Sequence, residues 1–401
     1  MDSACTKSVV DWLVDGARSA KLPQDVLTEM CERMSAGGLP LWRAVVFVRT
    51  LHPQVLGRRF VWKPDSGTEV GEAPFGLLER DAFRNSPMLH VAETGQEIRR
   101  RLADADCPMD FPILQDLRDE GVTDYAISPL RFTNDEIHFA SWATRQPGGF
   151  TDAQIEAITA LVAPLARVAE IRASRRTATT LLSTYVGNNA GERVLAGKIR
   201  RGDSDEIHAA IWLSDMRGFT RLADRLEPQA LVDLLNRYFD CQVPPIVEHG
   251  GEVLKFMGDG LLAIFPIGAE ADPGKVCAGA LGAAYRARAN VADLQAATGE
   301  ATAVRFGLAL HLGNVLYGNI GSGNRLDFTC IGPAVNLAAR LEKLAGQLGR
   351  TILASQDFAR HCDDALTPIG DFAIAGFANR QTAFGLADEI EKRRLAIEAV
   401  P

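Results

Sequence analysis

Three short segments of this chain set metal- and phosphate-competent side chains beside turns. In SDMRGFT, residues 214–220, Asp215 follows an apolar run at 209–213 and precedes a glycine turn into a helix. A carboxylate at a strand end can hold a divalent cation, and free N–H groups near Phe219 and Thr220 can cradle phosphate oxygens. In LKFMGDG, residues 254–260, apolar runs on either side of Gly-Asp-Gly signal a hairpin with Asp259 at its tip. In DFTCIGPAVNLAARLE, residues 327–342, Asn336 and Arg340 stand four apart on one helix face. Such a pair can orient a ribose and neutralise a phosphate. Each feature alone has a plainer reading: a turn residue, a hairpin tip, a solvated helix face. Two aspartates at adjacent strand ends change the odds, because paired carboxylates can hold two divalent ions on a triphosphate.

The elements that must position these groups are legible around them. Residues 209–213 read as a buried strand. A helix starts near Thr220, and another has Pro228 in its first turn with Leu231, Leu234, Leu235, Tyr238 and Phe239 inside. Upstream, residues 1–36 read as helical, then the period changes and 44–48 and 59–62 read as strands. A helix over 112–120 stops at Gly121, and 124–132 with 137–143 form a hairpin around Thr133-Asn134-Asp135. Thr151 and Gln154 make a capping box, with Phe150 and Ile155 as its hydrophobic staple. From there Ile155, Ile158, Val162, Leu165 and Ala169 recur at heptad-like spacing, and Pro164 is expected to kink the helix. Residues 171–204 read as a basic helical linker, with Leu181, Leu182, Tyr185 and Val186 continuing the seam and glycines 187, 191 and 197 breaking it.

Taken together, the three segments resemble the catalytic domain of class III adenylate and guanylate cyclases, over roughly residues 205–390. The resemblance implies an α+β, ferredoxin-like βααβαββ core and catalysis at the interface of two such domains. It makes Asp215 and Asp259 the metal-binding aspartates, with the backbone carbonyl of Met216, for two Mg²⁺ or Mn²⁺ ions per site. It makes Lys255 the adenine-recognising residue and Thr329 its neighbour at the base. Asn336 becomes the ribose-orienting residue and Arg340 the transition-state arginine. One departure stands out: Ala375, before Gly376, occupies a position where a basic residue often reaches the terminal phosphates, with Arg380 nearby. The block at 37–170 resembles a GAF sensory domain in its element order and in the segment from Phe150 to Val168, with a PAS-like module as the competitor. Residues 391–401 read as a tail.

The resulting expectation is a homodimeric adenylate cyclase that takes ATP and is regulated by a small-molecule or other signal ligand of its N-terminal domain. A lysine ammonium only donates, which suits adenine N1 better than guanine N1–H. Guanylate cyclase activity and a degenerate, merely dimerising module are the alternatives. A net charge of -8 argues against general nucleic-acid binding. No apolar run reaches membrane-spanning length, and the seven cysteines are scattered without a C-x-x-C pair. A cytoplasmic protein with reduced thiols is the expected setting.

Overall fold

The computed structural model describes residues 2–298, 304–362 and 365–389. The expected tail, 391–401, lies outside the described residues. The chain divides into two compact units, Met1–Leu181 and Leu182–Pro401.

The first unit begins with helices α1 (Ser3–Val14) and α2 (Pro23–Ala36). Strands β1 (Arg43–Arg49), β2 (Val55–Lys63) and β3 (Gly67–Pro74) follow as an antiparallel meander. Short helices α3 (Asp81–Arg84) and α4 (Pro87–Thr94), strand β4 (Ile98–Arg100) and helix α5 (Pro112–Asp119) lead to β5 (Asp124–Arg131) and β6 (Ile137–Thr144). The six strands form one sheet in the order β3-β2-β1-β6-β5-β4. Alternation of side chains across the sheet separates two cores. Val46, Phe60, Trp62 and Trp142 pack with α1, α2 and the long helix α6 (Asp152–Val186). Phe47, Leu56, Tyr125 and Phe139 pack on the other face against residues of α4 and α5 such as Val91, Leu114 and Leu117. The capping box at the start of α6 forms as expected: Gln154 N donates to Thr151 Oγ1 at 3.3 Å, and Thr151 N donates to Gln154 Oε1 at 2.9 Å. Pro164 lies inside α6 without ending it. Of the three glycines expected to break the linker, Gly187 and Gly197 have φ of +88° and +93°. Gly191 instead lies within helix α7 (Asn188–Leu195) and is buried.

The second unit is built on β7 (Ser204–Met216), followed by α8 (Phe219–Ala223), α9 (Pro228–Asp240) and α10 (Val243–Glu248). Then come the hairpin β8 (Glu252–Met257) and β9 (Gly260–Ile267), α11 (Pro273–Thr298), β10 (Phe306–Ser322) and β11 (Arg325–Ile331). Helix α12 (Pro333–Gln347), β12 (Ile352–Ser355), α13 (Gln356–Ala359), β13 (Thr367–Phe372) and β14 (Gln381–Gly385) complete it. Two strands, β8 and β9, stand between the helices and α11 where the βααβαββ formula counts one, because the Gly258-Asp259 turn folds that segment back on itself. The sheet order is β13-β14-β12-β10-β7-β9-β8, with β11 paired to β10. Its central strands, β10-β7-β9-β8, have the interleaved order expected of a ferredoxin-like core. Strand β7 is buried between two neighbours. Its even-numbered residues Ala210 and Trp212 pack into the core that α9 and α11 share, and its odd-numbered Ala209, Ile211 and Leu213 into the core that includes Ala334 and Ala338 of α12.

Candidate active site

The end of β7 is held on both sides. Leu213 pairs with Ala309 and Asp215 with Gly307 on β10, while Ser214 pairs with Leu261 on β9. Ser214 points into the core, where its hydroxyl donates to Gln242 Oε1 at 2.6 Å. Asp215 therefore points to the opposite face, toward the α12 side. Continuing the β7–β9 register brings the hairpin tip beside this residue. Gly260 is buried there, and a Cβ on it would meet the Ser214 carbonyl oxygen at 3.2 Å.

Asp215 and Asp259 come together in this corner, close enough for one carboxyl to act on the other. Burial, then the neighbouring carboxyl group and charge of Asp259, push the Asp215 carboxyl up to about 7. Asp215 therefore holds its proton more readily than an ordinary carboxyl. That arrangement fits a divalent cation, which would replace the proton and cancel the repulsion. No group of three or more His, Cys, Asp or Glu suited to a metal occurs among the described residues. The groups that would hold such an ion are the two carboxylates, with a main-chain oxygen such as that of Met216 at the end of β7.

The turn after β7 has a support that the sequence reading missed. Arg217 N donates to the Arg305 carbonyl at 2.7 Å. Its guanidinium pairs with Glu342 Oε1 at 2.8 Å and donates to the Glu342 carbonyl at 3.1 Å. The guanidinium lies so close over Gly307 that any Cβ there would collide with it. Glu342 is buried on α12, and burial raises its carboxyl pKa against the opposing pull of Arg217. Both residues lie inside the quoted motifs, but only folding shows that they meet. Gly218 takes a left-handed conformation with φ of +79° and caps α8, so Phe219 and Thr220 are the first two residues of that helix. Because α8 has five residues, what Phe219 and Thr220 can offer a phosphate is their N–H groups rather than a helix dipole.

The remaining residues assemble on β8, β11 and α12. Lys255 Nζ donates to Asp327 Oδ2 at 2.8 Å across β8 and β11. Thr329, two residues beyond Asp327, is buried, and its hydroxyl has no hydrogen-bond partner among the described residues. An unpartnered buried hydroxyl is costly, so it marks a place where a ligand would be welcome. Asn336 and Arg340 are exposed on one face of α12 and line a cavity of about 560 Å³. Arg340 forms no ion pair among the described residues. Phe256 and Met257 on β8, Leu316 on β10, and Leu326 and Ile331 on β11 expose their side chains around this group. The two aspartates thus cluster at one place. Lys255 and Thr329 stand on β8 and β11, Asn336 and Arg340 on α12, and among the described residues no hydrogen bond or ion pair joins these four to the aspartates, although Glu342 of α12 is near enough to help raise the Asp215 carboxyl.

Residues 203–376 match the sequence profile of the adenylate and guanylate cyclase catalytic domain. A terminal-differentiation-specific adenylate cyclase of Dictyostelium discoideum is 32% identical over 155 residues, which are 39% of this chain and 7% of the relative. An adenylate cyclase of Anabaena cylindrica is 31% identical over 163 residues, 41% of this chain and 32% of the relative. The adenylyl cyclase CyaB of P. aeruginosa, a solved structure, is 28% identical over 46% of this chain and 96% of that one, with a TM-score of 0.42. The chain therefore spans a third or less of the length of these two curated relatives. The likeness to the adenylate and guanylate cyclase catalytic domain thus lies in residues 203–376. No described helix is long and apolar enough to cross a membrane.

Proposed function

We propose that the chain is an adenylate cyclase, converting ATP to 3′,5′-cyclic AMP and pyrophosphate at a site shared by two copies, under the control of its first unit. The observation that carries this reading is the close pair Asp215–Asp259, held at adjacent strand ends in a domain that also presents Asn336 and Arg340. Bound divalent ions would supply Lewis-acid activation of the ribose 3′-hydroxyl and charge neutralisation on the phosphates. Asp215, Asp259 and the Met216 carbonyl would hold them. Asn336 orients the ribose so that its 3′-oxygen lies in line with the α-phosphorus. Arg340, without a carboxylate of its own, is available for charge that builds on the α-phosphoryl oxygens. The N–H groups of Phe219 and Thr220 hold phosphate oxygens. The attacking bond forms between the 3′-oxygen and the α-phosphorus, the α-phosphorus–oxygen bond to the leaving pyrophosphate breaks, and the hydroxyl proton passes to water or to the departing pyrophosphate.

Base choice rests on Lys255, whose ammonium donates to adenine N1, and on Thr329, whose free hydroxyl can accept from the adenine amine. Asp327 favours a second reading. Its carboxylate is an acceptor beside Lys255, and guanine presents N1–H and an amine to such a group. Because that carboxylate is already engaged by Lys255, ATP is the preferred substrate.

Among the described residues Asn336 and Arg340 make no hydrogen bond or ion pair with the aspartates, which suits a site completed by a second copy, and the exposed apolar side chains on β8, β10 and β11 are suited to that contact. Helix α6 reaches from the first unit past residue 181, with Ile171 and Tyr185 exposed along it. A paired α6 would be the route of control. Incubating the full chain with ATP or GTP and Mg²⁺ or Mn²⁺ and identifying the product tests the reading. Cyclic AMP is the expected product, and no cyclic nucleotide from either substrate would refute it.

A further inference from the structure

Helix α12 carries another cation on the Asn336–Arg340 face. Lys343 lies seven residues beyond Asn336 and three beyond Arg340, a spacing that keeps all three on one side of the helix. All three line the same cavity of about 560 Å³, and its opposite wall is formed by Ala375, Gly376 and Phe377. That wall brings no charge. The next residue back along α12, Glu342, is turned inward and ion-paired to Arg217, although the charge of Lys343 still reaches its carboxylate. Lys343 is exposed and forms no ion pair among the described residues.

The cations on this half of the site therefore have distinct commitments. Lys255 is bound to Asp327. Arg340, one turn from Asn336, stands where the α-phosphate follows the ribose. Lys343, a further turn along, is uncommitted and faces the same space. A triphosphate laid along the helix with its ribose at Asn336 and its α-phosphate at Arg340 carries its remaining charge toward Lys343.

We propose that Lys343 binds the β- and γ-phosphates of the substrate and the pyrophosphate that leaves, an assignment that rests on the cyclase reading above. A lysine ammonium is a compact charge with three rotatable donors. It can follow a phosphate group that moves away after bond cleavage, where a fixed bidentate fork would be better matched to one geometry. Lys343 is a binding residue for the leaving half of the substrate and makes no contact with the base.

The test is steady-state kinetics on the full chain, with pyrophosphate as product inhibitor, in wild type, Lys343→Gln, Lys343→Arg and Lys343→Gln/Ala375→Lys. Loss of a charge-assisted contact should raise KM and the pyrophosphate inhibition constant on the order of tenfold to a hundredfold. The effect on kcat should be smaller, and the ATP-to-GTP preference should not move. Lys343→Arg should keep most of the affinity, and a lysine placed at 375 should restore it from the opposite wall. Unchanged KM and unchanged pyrophosphate inhibition in Lys343→Gln, in a wild type that is active, would overturn the assignment while leaving the cyclase reading intact. A wild type that makes no cyclic nucleotide would overturn both.

Discussion

Replacing Asp259 by asparagine should stabilise the metal-free domain while abolishing its activity. The Asp215 carboxyl rises from 3.8 to about 7 in the folded chain. At about 1.4 kcal/mol per unit, the cost of ionising it in place is roughly 4 kcal/mol before solvent screening. Asp215 is half-buried, and screening brings this to about 2 kcal/mol. Burial is the first cause and Asp259 the second, so the share that belongs to Asp259 is about 1 kcal/mol. A group whose folded pKa lies above its unfolded value makes the folded state bind the extra proton. Stability then falls as pH rises between about 4 and about 7, and levels off above. Asp259→Asn lowers the folded pKa of Asp215 and flattens that slope. Near pH 8 the variant should gain about 1 kcal/mol over wild type, and near pH 5, where Asp215 is protonated in both, the gain should vanish. Native-state hydrogen exchange of the amides of Trp212 and Leu213, in the full chain with chelator, reads the stability of the second unit directly. Cyclase assays with Mg²⁺ or Mn²⁺ on the same protein read function. An unchanged pH slope, a loss of stability at pH 8, or near-normal turnover would each refute the carboxylate pair as a metal-binding, self-repelling site.

Asp215→Ala should reduce turnover by about a thousandfold or more, since one lost metal ligand removes several kcal/mol of transition-state stabilisation, with circular dichroism showing an unchanged fold. Lys255→Glu should weaken or reverse the preference for ATP over GTP, because it replaces a donor with an acceptor and sets it against Asp327; competition assays with both nucleotides measure the ratio. A chain beginning near residue 190 should differ in specific activity from the full chain at matched dimer occupancy, and equal rates would count against control through α6.

Much of this arrangement was legible in the residues themselves, for identifiable reasons. The run at 209–213 has no polar interruption, so it reads as a buried strand, and that stretch of β7 is one. The capping box at Thr151 and Gln154 is a local device, and it forms as spelled. The hairpin at Gly258-Asp259 follows from its glycines. What could not be read depends on tertiary contact. Strand β3, with sequence GTEVGEAP, lacks the apolar alternation of a strand and exists because it pairs with β2 at the sheet edge. Gly191 looked like a breaker but is buried in α7, where a Cβ would meet Leu182 and Ser183 at 3.2 Å. Arg217 and Glu342 are 125 residues apart in the chain, and Lys255 and Asp327 are 72 apart. No local pattern couples either pair; the packing of α12 on β7 and the approach of β11 to β8 do.

The central claim is that one nucleotide site draws its metal aspartates from one copy and its Asn336 and Arg340 from another. Mixing two inactive full-length variants, Asp259→Ala and Arg340→Ala, tests it most directly. In a mixed dimer one site collects both lesions and the other collects none. With subunit exchange at equal affinity, about half the dimers are mixed and each has one good site of two, so cyclic AMP production should recover to about a quarter of wild type. Asp215→Ala mixed with Asp259→Ala should stay inactive. A first mixture that remains inactive, despite subunit exchange demonstrated with labelled copies, would contradict the account.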